Sequence, residues 1–222
     1  MHITPLRSPR GCLSYLIADT ASGKAALIDP SEEIGIETYL AACAKENSTL
    51  TYLIETHTHA DHISCAPALK QATGAQIVRH HDAPSAEKDV AVRGGEELLL
   101  GTSILRILAT PGHTNESISI LAGNAVFTGD ALLIAGTGRT DFQLGNSAAL
   151  YESLHETLGT LPDDTIVYPA HDYKGRIASS IGIEKRTNPR FALGREAFIH
   201  AMDTHHPPKP ELFERAISEN SR

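Results

Sequence analysis

Short apolar runs separated by turn-forming residues dominate the first half of the chain. The runs at 14–18 and 25–28 flank Thr20-Ala21-Ser22-Gly23-Lys24, a turn composition, and read as a β-hairpin. Residues 32–45 carry Ile36, Leu40 and Cys43 at three- and four-residue steps, the spacing of one helix face. Glu32 and Glu33 are placed to suit the dipole of that helix's first turn. A strand follows at 50–54, then a helix at 66–72 closed by Gly74, then a strand at 76–79. Further strands are predicted at 97–100, 104–109, 117–121 and 125–127, with Gly or Pro turns between them. Residues 147–158 predict a helix N-capped by Ser147, with Leu150, Leu154 and Leu158 on one face. The run at 165–168 is a strand ended by Pro169, and helices return at 195–202 and 211–219.

This order predicts an α/β layered sandwich rather than a regular βαβ repeat. There is no internal repeat. The one linker-like stretch, Thr204-His205-His206-Pro207-Pro208-Lys209-Pro210, leaves only a short remainder. The chain therefore reads as one domain over 1–222, with 203–222 a C-terminal helical tail packed on it.

Composition narrows the classes. The 222 residues are 41% hydrophobic and 21% charged, ordinary for a globular protein. The formal net charge of −8 disfavours a nucleic-acid binder, which needs a basic face. Cys12, Cys43 and Cys65 form no CxxC pair, which excludes a zinc ribbon and a disulfide framework and fits a reducing, cytoplasmic setting. The first residues, with Pro5 and Pro9, lack the apolar core of a secretory signal. No apolar run approaches the about 20 residues of a membrane helix, so no membrane partner is expected. The chain holds 12 His and no Trp, and the His residues carry the chemistry.

His57-Thr58-His59-Ala60-Asp61-His62 places four metal-ligand types within six residues, directly after an apolar strand. A loop leaving a sheet edge can aim such groups at one point while the sheet holds its base still. Neutral imidazoles with a carboxylate suit Zn(II), Fe(II) or Mn(II). A polar loop that merely happens to hold three His is the plainer alternative. Three other strand ends repeat the design and outweigh it: Thr110-Pro111-Gly112-His113-Thr114, Phe127-Thr128-Gly129-Asp130 and Tyr168-Pro169-Ala170-His171-Asp172. His80-His81, His155 and His205-His206 lack metal spacing and read as surface or packing residues.

HxHxDH followed by PGH, TGD and PAH resembles the metallo-β-lactamase superfamily. The stretch Phe127 to Gly145 with its GRTDF, the segment Tyr168 to Tyr173, and the EKRTNPR of Glu184 to Arg190 resemble the persulfide dioxygenase (sulfur dioxygenase) branch. The resemblance implies an αββα four-layer sandwich and one Fe(II) per chain, bound by His57, His113 and Asp130. His59, Asp61, His62 and His171 would then orient those ligands or mark a vacant second metal site. It implies oxidation of glutathione persulfide by O2 and water to sulfite and glutathione, a homodimer, and a rhodanese-type sulfurtransferase as functional partner. For the anionic substrate, Arg139 and Tyr173 are the expected binding residues. Asp172 is expected to be structural.

The chain departs from the family pattern at several places. Ala135 and Thr137 replace Arg and Cys, Ser64-Cys65 replaces Thr-Gly, and Asn115-Glu116 replaces Pro-Gly. Cys65, beside the motif, is expected to be a small buried hydrophobe rather than a sulfur carrier. Two rivals share the fold: a dinuclear Zn acylglutathione thioesterase of the glyoxalase II type, and a non-catalytic metal- or sulfane-sulfur-binding protein. The short stretch after His171 leaves little room for the helical domain the thioesterases use. A nuclease is disfavoured by charge.

Overall fold

The computed structural model describes residues 1–222. In chain order the elements are β1 (His2–Arg7), β2 (Leu13–Asp19), β3 (Lys24–Ile28), α1 (Ile36–Lys45), β4 (Thr49–Ile54), α2 (Ala66–Thr73), β5 (Gln76–His80) and β6 (Val90–Val92). They continue with β7 (Glu97–Leu100), β8 (Ser103–Ala109), β9 (Ile118–Ala122), β10 (Ala125–Gly129), α3 (Ser147–Glu152), β11 (Ile166–Pro169) and β12 (Ser179–Ser180). The last helices are α4 (Ile181–Thr187), α5 (Arg195–Asp203) and α6 (Phe213–Asn220). Two six-stranded sheets form, in the orders β1-β2-β3-β4-β5-β6 and β12-β11-β10-β9-β8-β7.

Strand periodicity explains the layers. Leu13, Tyr15 and Ile17 of β2 point one way and meet Leu105, Ile107, Ile120 and Phe127 of the opposite sheet, forming the central core. Leu16 and Ala18 point the other way and pack with Tyr39, Ala42 and Cys43 of α1 and Leu69 of α2. The outer face of the second sheet, through Val126 and Val167, packs on Leu150 and Leu154 with Phe198 and Met202 of α5. The result is the helix–sheet–sheet–helix sandwich expected from the sequence. No helix is long and apolar enough to cross a membrane.

Several boundaries differ, each for a local reason. α1 starts at Ile36, not at residue 32, because Gly35 at φ 85° breaks the helical path. Glu33 is therefore not in a first helical turn and instead pairs with Arg10. Asn146, not Ser147, caps α3, its side chain accepting from the Ala149 amide. The expected helix at 147–158 is α-helical only to Glu152, then passes through a π turn and a 3-10 turn, although Leu150, Leu154 and Leu158 all remain buried. β1 was not anticipated. It contains Pro5 and pairs only with β2, so it is an edge strand that tolerates the missing N–H. The three-residue β6, the two-residue β12 and α4 also carry too little periodicity to be read from sequence.

Candidate metal centre

The strand ends of both sheets open onto one cavity of about 400 Å³, floored by Asp61, His113, Asp130 and His171. The loop after β4 carries His57. Its base is fixed by Asp29, at the end of β3, whose carboxylate accepts from the Thr56 amide at 2.7 Å and from Thr56 Oγ1 at 2.8 Å. With its hydroxyl proton spent on Asp29, Thr56 Oγ1 accepts from His57 Nδ1 at 3.0 Å. That bond defines the tautomer and leaves His57 Nε2 as a buried lone pair with no partner in the protein. Burial, reinforced by His59 and His113, holds the His57 pKa well below its ordinary value, so the ring is neutral.

His113 is set in the same way. Its Nδ1 donates to the Arg139 carbonyl at 2.7 Å, turning Nε2 toward Asp130 Oδ2, 3.6 Å away. The PGH turn that presents it needs glycine: Gly112 has φ 134°, and a Cβ there would lie 2.3 Å from the Leu150 amide nitrogen. Asp130 follows Gly129, at φ 52°, where a Cβ would meet Thr56 Oγ1 at 2.6 Å. Asp130 Oδ1 accepts from His171 Nδ1 at 2.6 Å. Burial opposes the charged Asp130, but the facing His171, with His113 and His57, outweighs it and holds the carboxylate far below its usual range. Ligand atoms of His57, His113 and Asp130 all lie within 4.8 Å of one another.

The remaining candidates fall into two neighbouring groups. His171 Nε2 and His62 Nδ1 reach Asp61 Oδ2 at 2.8 and 3.2 Å, and Cys12 Sγ donates to the same oxygen at 3.3 Å. Burial raises the Cys12 thiol, but hydrogen bonds with His171 and His62 bring it down to about 6. His59 Nε2 sits 3.2 Å from Asp29 Oδ1 and 3.3 Å from Glu55 Oε2. Burial disfavours its charge, yet the two carboxylates hold its pKa well above the ordinary value.

The substrate-binding candidates both line the cavity. Arg139 is already engaged: Nε and Nη2 pair with Asp141 at 2.6 and 2.7 Å, and the guanidinium also donates to the carbonyls of Pro207 and Pro208. Arg190, also lining the cavity, has no ion pair or side-chain hydrogen bond within the chain. Tyr173 is 77% exposed, with its ring stacked on His171 at 6.0 Å. Asp172 is structural: its carboxylate accepts from Arg176 Nε and Nη2 at 2.9 and 2.6 Å.

Sequence reading missed Asp29, Glu55, Cys12, Glu116, Arg190 and Asn220. Asp29 was findable, since it ends an apolar strand as the chosen ligands do. Glu116 was noticed only as a departure. Its Oε1 accepts from the Thr58 amide at 2.9 Å and from Thr114 Oγ1 at 3.1 Å, tying the His57 loop to the His113 loop. Cys65 sits in the core beside Leu53 and Leu69, and burial pushes its thiol up to about 12.

Two imidazole lone pairs and a carboxylate within 4.8 Å of one another, with His113 and Asp130 lining the cavity, are the donor set of a divalent-metal site. Residues 7–171 match the family model of the metallo-beta-lactamase superfamily. The chain belongs to that superfamily and, within it, to the persulfide dioxygenase branch. It is 39% identical over 219 residues to the mouse protein named persulfide dioxygenase ETHE1, mitochondrial, covering 96% of this chain and 85% of that one. It superimposes on the crystal structure of ETHE1 from Myxococcus xanthus with a TM-score of 0.96 and 46% identity, over 100% of this chain and 98% of that one. It is also 40% identical over 202 residues to a hydroxyacylglutathione hydrolase from Rhodopseudomonas palustris (strain BisB18), covering 89% and 77% of the two chains.

Proposed function

We propose that this protein is an Fe(II)-dependent persulfide dioxygenase that converts glutathione persulfide, O2 and water into sulfite and glutathione. The observation that carries the reading is the His57–His113–Asp130 constellation, with both imidazole tautomers set by hydrogen bonds on the far nitrogen. Those three residues would hold the metal. Bound Fe(II) supplies the redox chemistry that joins O2 to the terminal sulfur, and two His plus one carboxylate leave positions open for both. His171 buttresses Asp130 and keeps its second oxygen facing His113. Phe142 and Phe213 pack together, ring centroids 4.6 Å apart, and form an apolar part of the cavity wall.

The peptide carboxylates of the substrate need a cation. Arg190, unpaired in the cavity wall, can donate bidentately to one of them. Arg139 contributes by shaping the wall through Asp141 and the two Pro carbonyls, and Tyr173 offers a free hydroxyl at the mouth. A reducing, cytoplasmic setting, a homodimer and a sulfurtransferase that delivers the persulfide complete the proposal. The free, buried Cys12, Cys43 and Cys65 fit a reducing setting.

The likeness to the hydroxyacylglutathione hydrolase favours a second reading, dinuclear hydrolysis of acylglutathiones. A second metal would sit at His171 with Asp61, His62 and Cys12, whose ligand atoms also lie within 4.8 Å of one another, so the metal count separates the readings: one iron per chain for the dioxygenase, two metals for the hydrolase. Oxygen uptake by anaerobically Fe(II)-loaded protein given glutathione persulfide decides between them. Stoichiometric O2 loss and sulfite, abolished in His113→Ala, are expected. Iron-replete protein that consumes no O2 but hydrolyses acylglutathione with Zn would overturn the dioxygenase reading.

A further inference from the structure

Between Ile54 and Ala66 the chain is neither helix nor regular strand; a single β-bridge from Ser64 to Ser31, not a ladder, pins the far end of the loop that carries His57, His59, Asp61 and His62. Part of that path is held from the far end of the sequence. Asn220, the last residue of α6, is 5% exposed. Its Nδ2 donates to the carbonyls of His59 and His62, both at 2.8 Å, and its Oδ1 accepts from the Ser64 amide at 2.9 Å. One carboxamide thus satisfies three backbone groups of a single buried loop, groups that would otherwise lose their partners. Asn220 is in turn held from below. Arg79, itself buried, donates from Nη1 to the Asn220 carbonyl at 2.7 Å.

Asp61 lies between the two gripped carbonyls. Its carboxylate receives His171 Nε2, and His171 Nδ1 holds Asp130. The same C-terminal segment also walls the cavity. Pro207 and Pro208 accept from Arg139, and Phe213 packs on Phe142 with ring centroids 4.6 Å apart. We infer that Asn220 is a positioning residue for the metal centre. It holds the 59–64 loop so that Asp61 faces His171 and His171 orients Asp130, and it ties the metal loop to the segment that encloses the substrate. This rests on the reading of His57, His113 and Asp130 as ligands and is independent of which substrate is turned over.

Co(II) tests it, because the visible bands of this ion report ligand geometry whatever the reaction. Asn220→Ala should keep the wild-type far-UV circular dichroism yet bind Co(II) at least about tenfold more weakly, the scale of lost outer hydrogen bonds at metal sites, with altered visible bands. Asn220→Asp is nearly isosteric and keeps an acceptor for Ser64, but loses both donors to the carbonyls. It should move affinity and bands in the same direction, and it decides the question if the alanine variant does not fold. Unchanged Co(II) affinity and bands in the folded variant, with only the melting temperature lowered, would overturn the proposal and leave Asn220 a plain loop cap. Undiminished Co(II) binding in His113→Ala would instead overturn the ligand set itself, so the two failures are told apart.

Discussion

Glu116 joins two loops that come from different strand ends, and a single oxygen makes both bonds. Removing it leaves the Thr58 amide buried without an acceptor, a loss of about 1–3 kcal/mol, while the Thr114 hydroxyl keeps Ser117 Oγ at 2.8 Å. Glu116→Ala should therefore lower the melting temperature by several degrees and weaken metal binding. Glu116→Gln keeps an acceptor oxygen and should retain most of both. Calorimetry on the two variants checks this, and equal losses in both would show that charge, not the shared acceptor, is what matters. At this scale the sequence displayed the ligand types but not their partners. The strand-end positions of His57, His113, Asp130 and His171 were legible because apolar runs stop just before them. Cys12 was not, because nothing in its local pattern marks it, and only the β2 edge brings it to His171.

Elements carry the site through a few contacts. The helix that begins at Ser147 was legible from its Leu spacing. Its π turn was not, since Leu150, Leu154 and Leu158 satisfy the same buried face either way. That turn places Ser153 Oγ where it donates to the Pro111 carbonyl at 2.7 Å and braces the His113 loop. On the other wall, the hydrogen bonds from Arg139 hold the Asp141 carboxyl down to about 2, below its ordinary 3.8. Because the folded value is the lower one, the stability this pair contributes is complete above pH about 4 and is lost as pH falls toward about 2. Asp141→Asn should lower the melting temperature at pH 6, with the gap from wild type closing across that acidic window. A gap that is constant with pH would show that the pair does not hold the C-terminal segment. The role first expected of Arg139, that of a free substrate cation, could not be separated from this one in sequence, since Asp141 lies only two residues away.

For the molecule as a whole, a metal held at the candidate site would be linked to the fold, since its ligands come from loops of both sheets. A metal that binds only the folded chain stabilises it by about 4 kcal/mol when its free concentration is a thousandfold above Kd. For a chain of this size that corresponds to roughly 8–16 °C, at about 2–4 °C per kcal/mol. Chelator-stripped protein should melt lower than Fe(II)- or Co(II)-loaded protein by an interval of this order, and His113→Ala should erase the difference. Identical melting of loaded and stripped wild type would count against a structural coupling of site and sandwich. The sequence by itself determined the layered α/β architecture and displayed the candidate ligand side chains, because alternation and strand-end punctuation are local properties of the chain. Only the tertiary structure decided which nitrogen of His57 and of His113 is left as a lone pair, that His171 spans two carboxylates, and that Asn220 at the end of α6 grips the loop of His59 and His62. Those features depend on hydrogen bonds between segments far apart in sequence, and no local pattern encodes such a bond until the two sheets have packed.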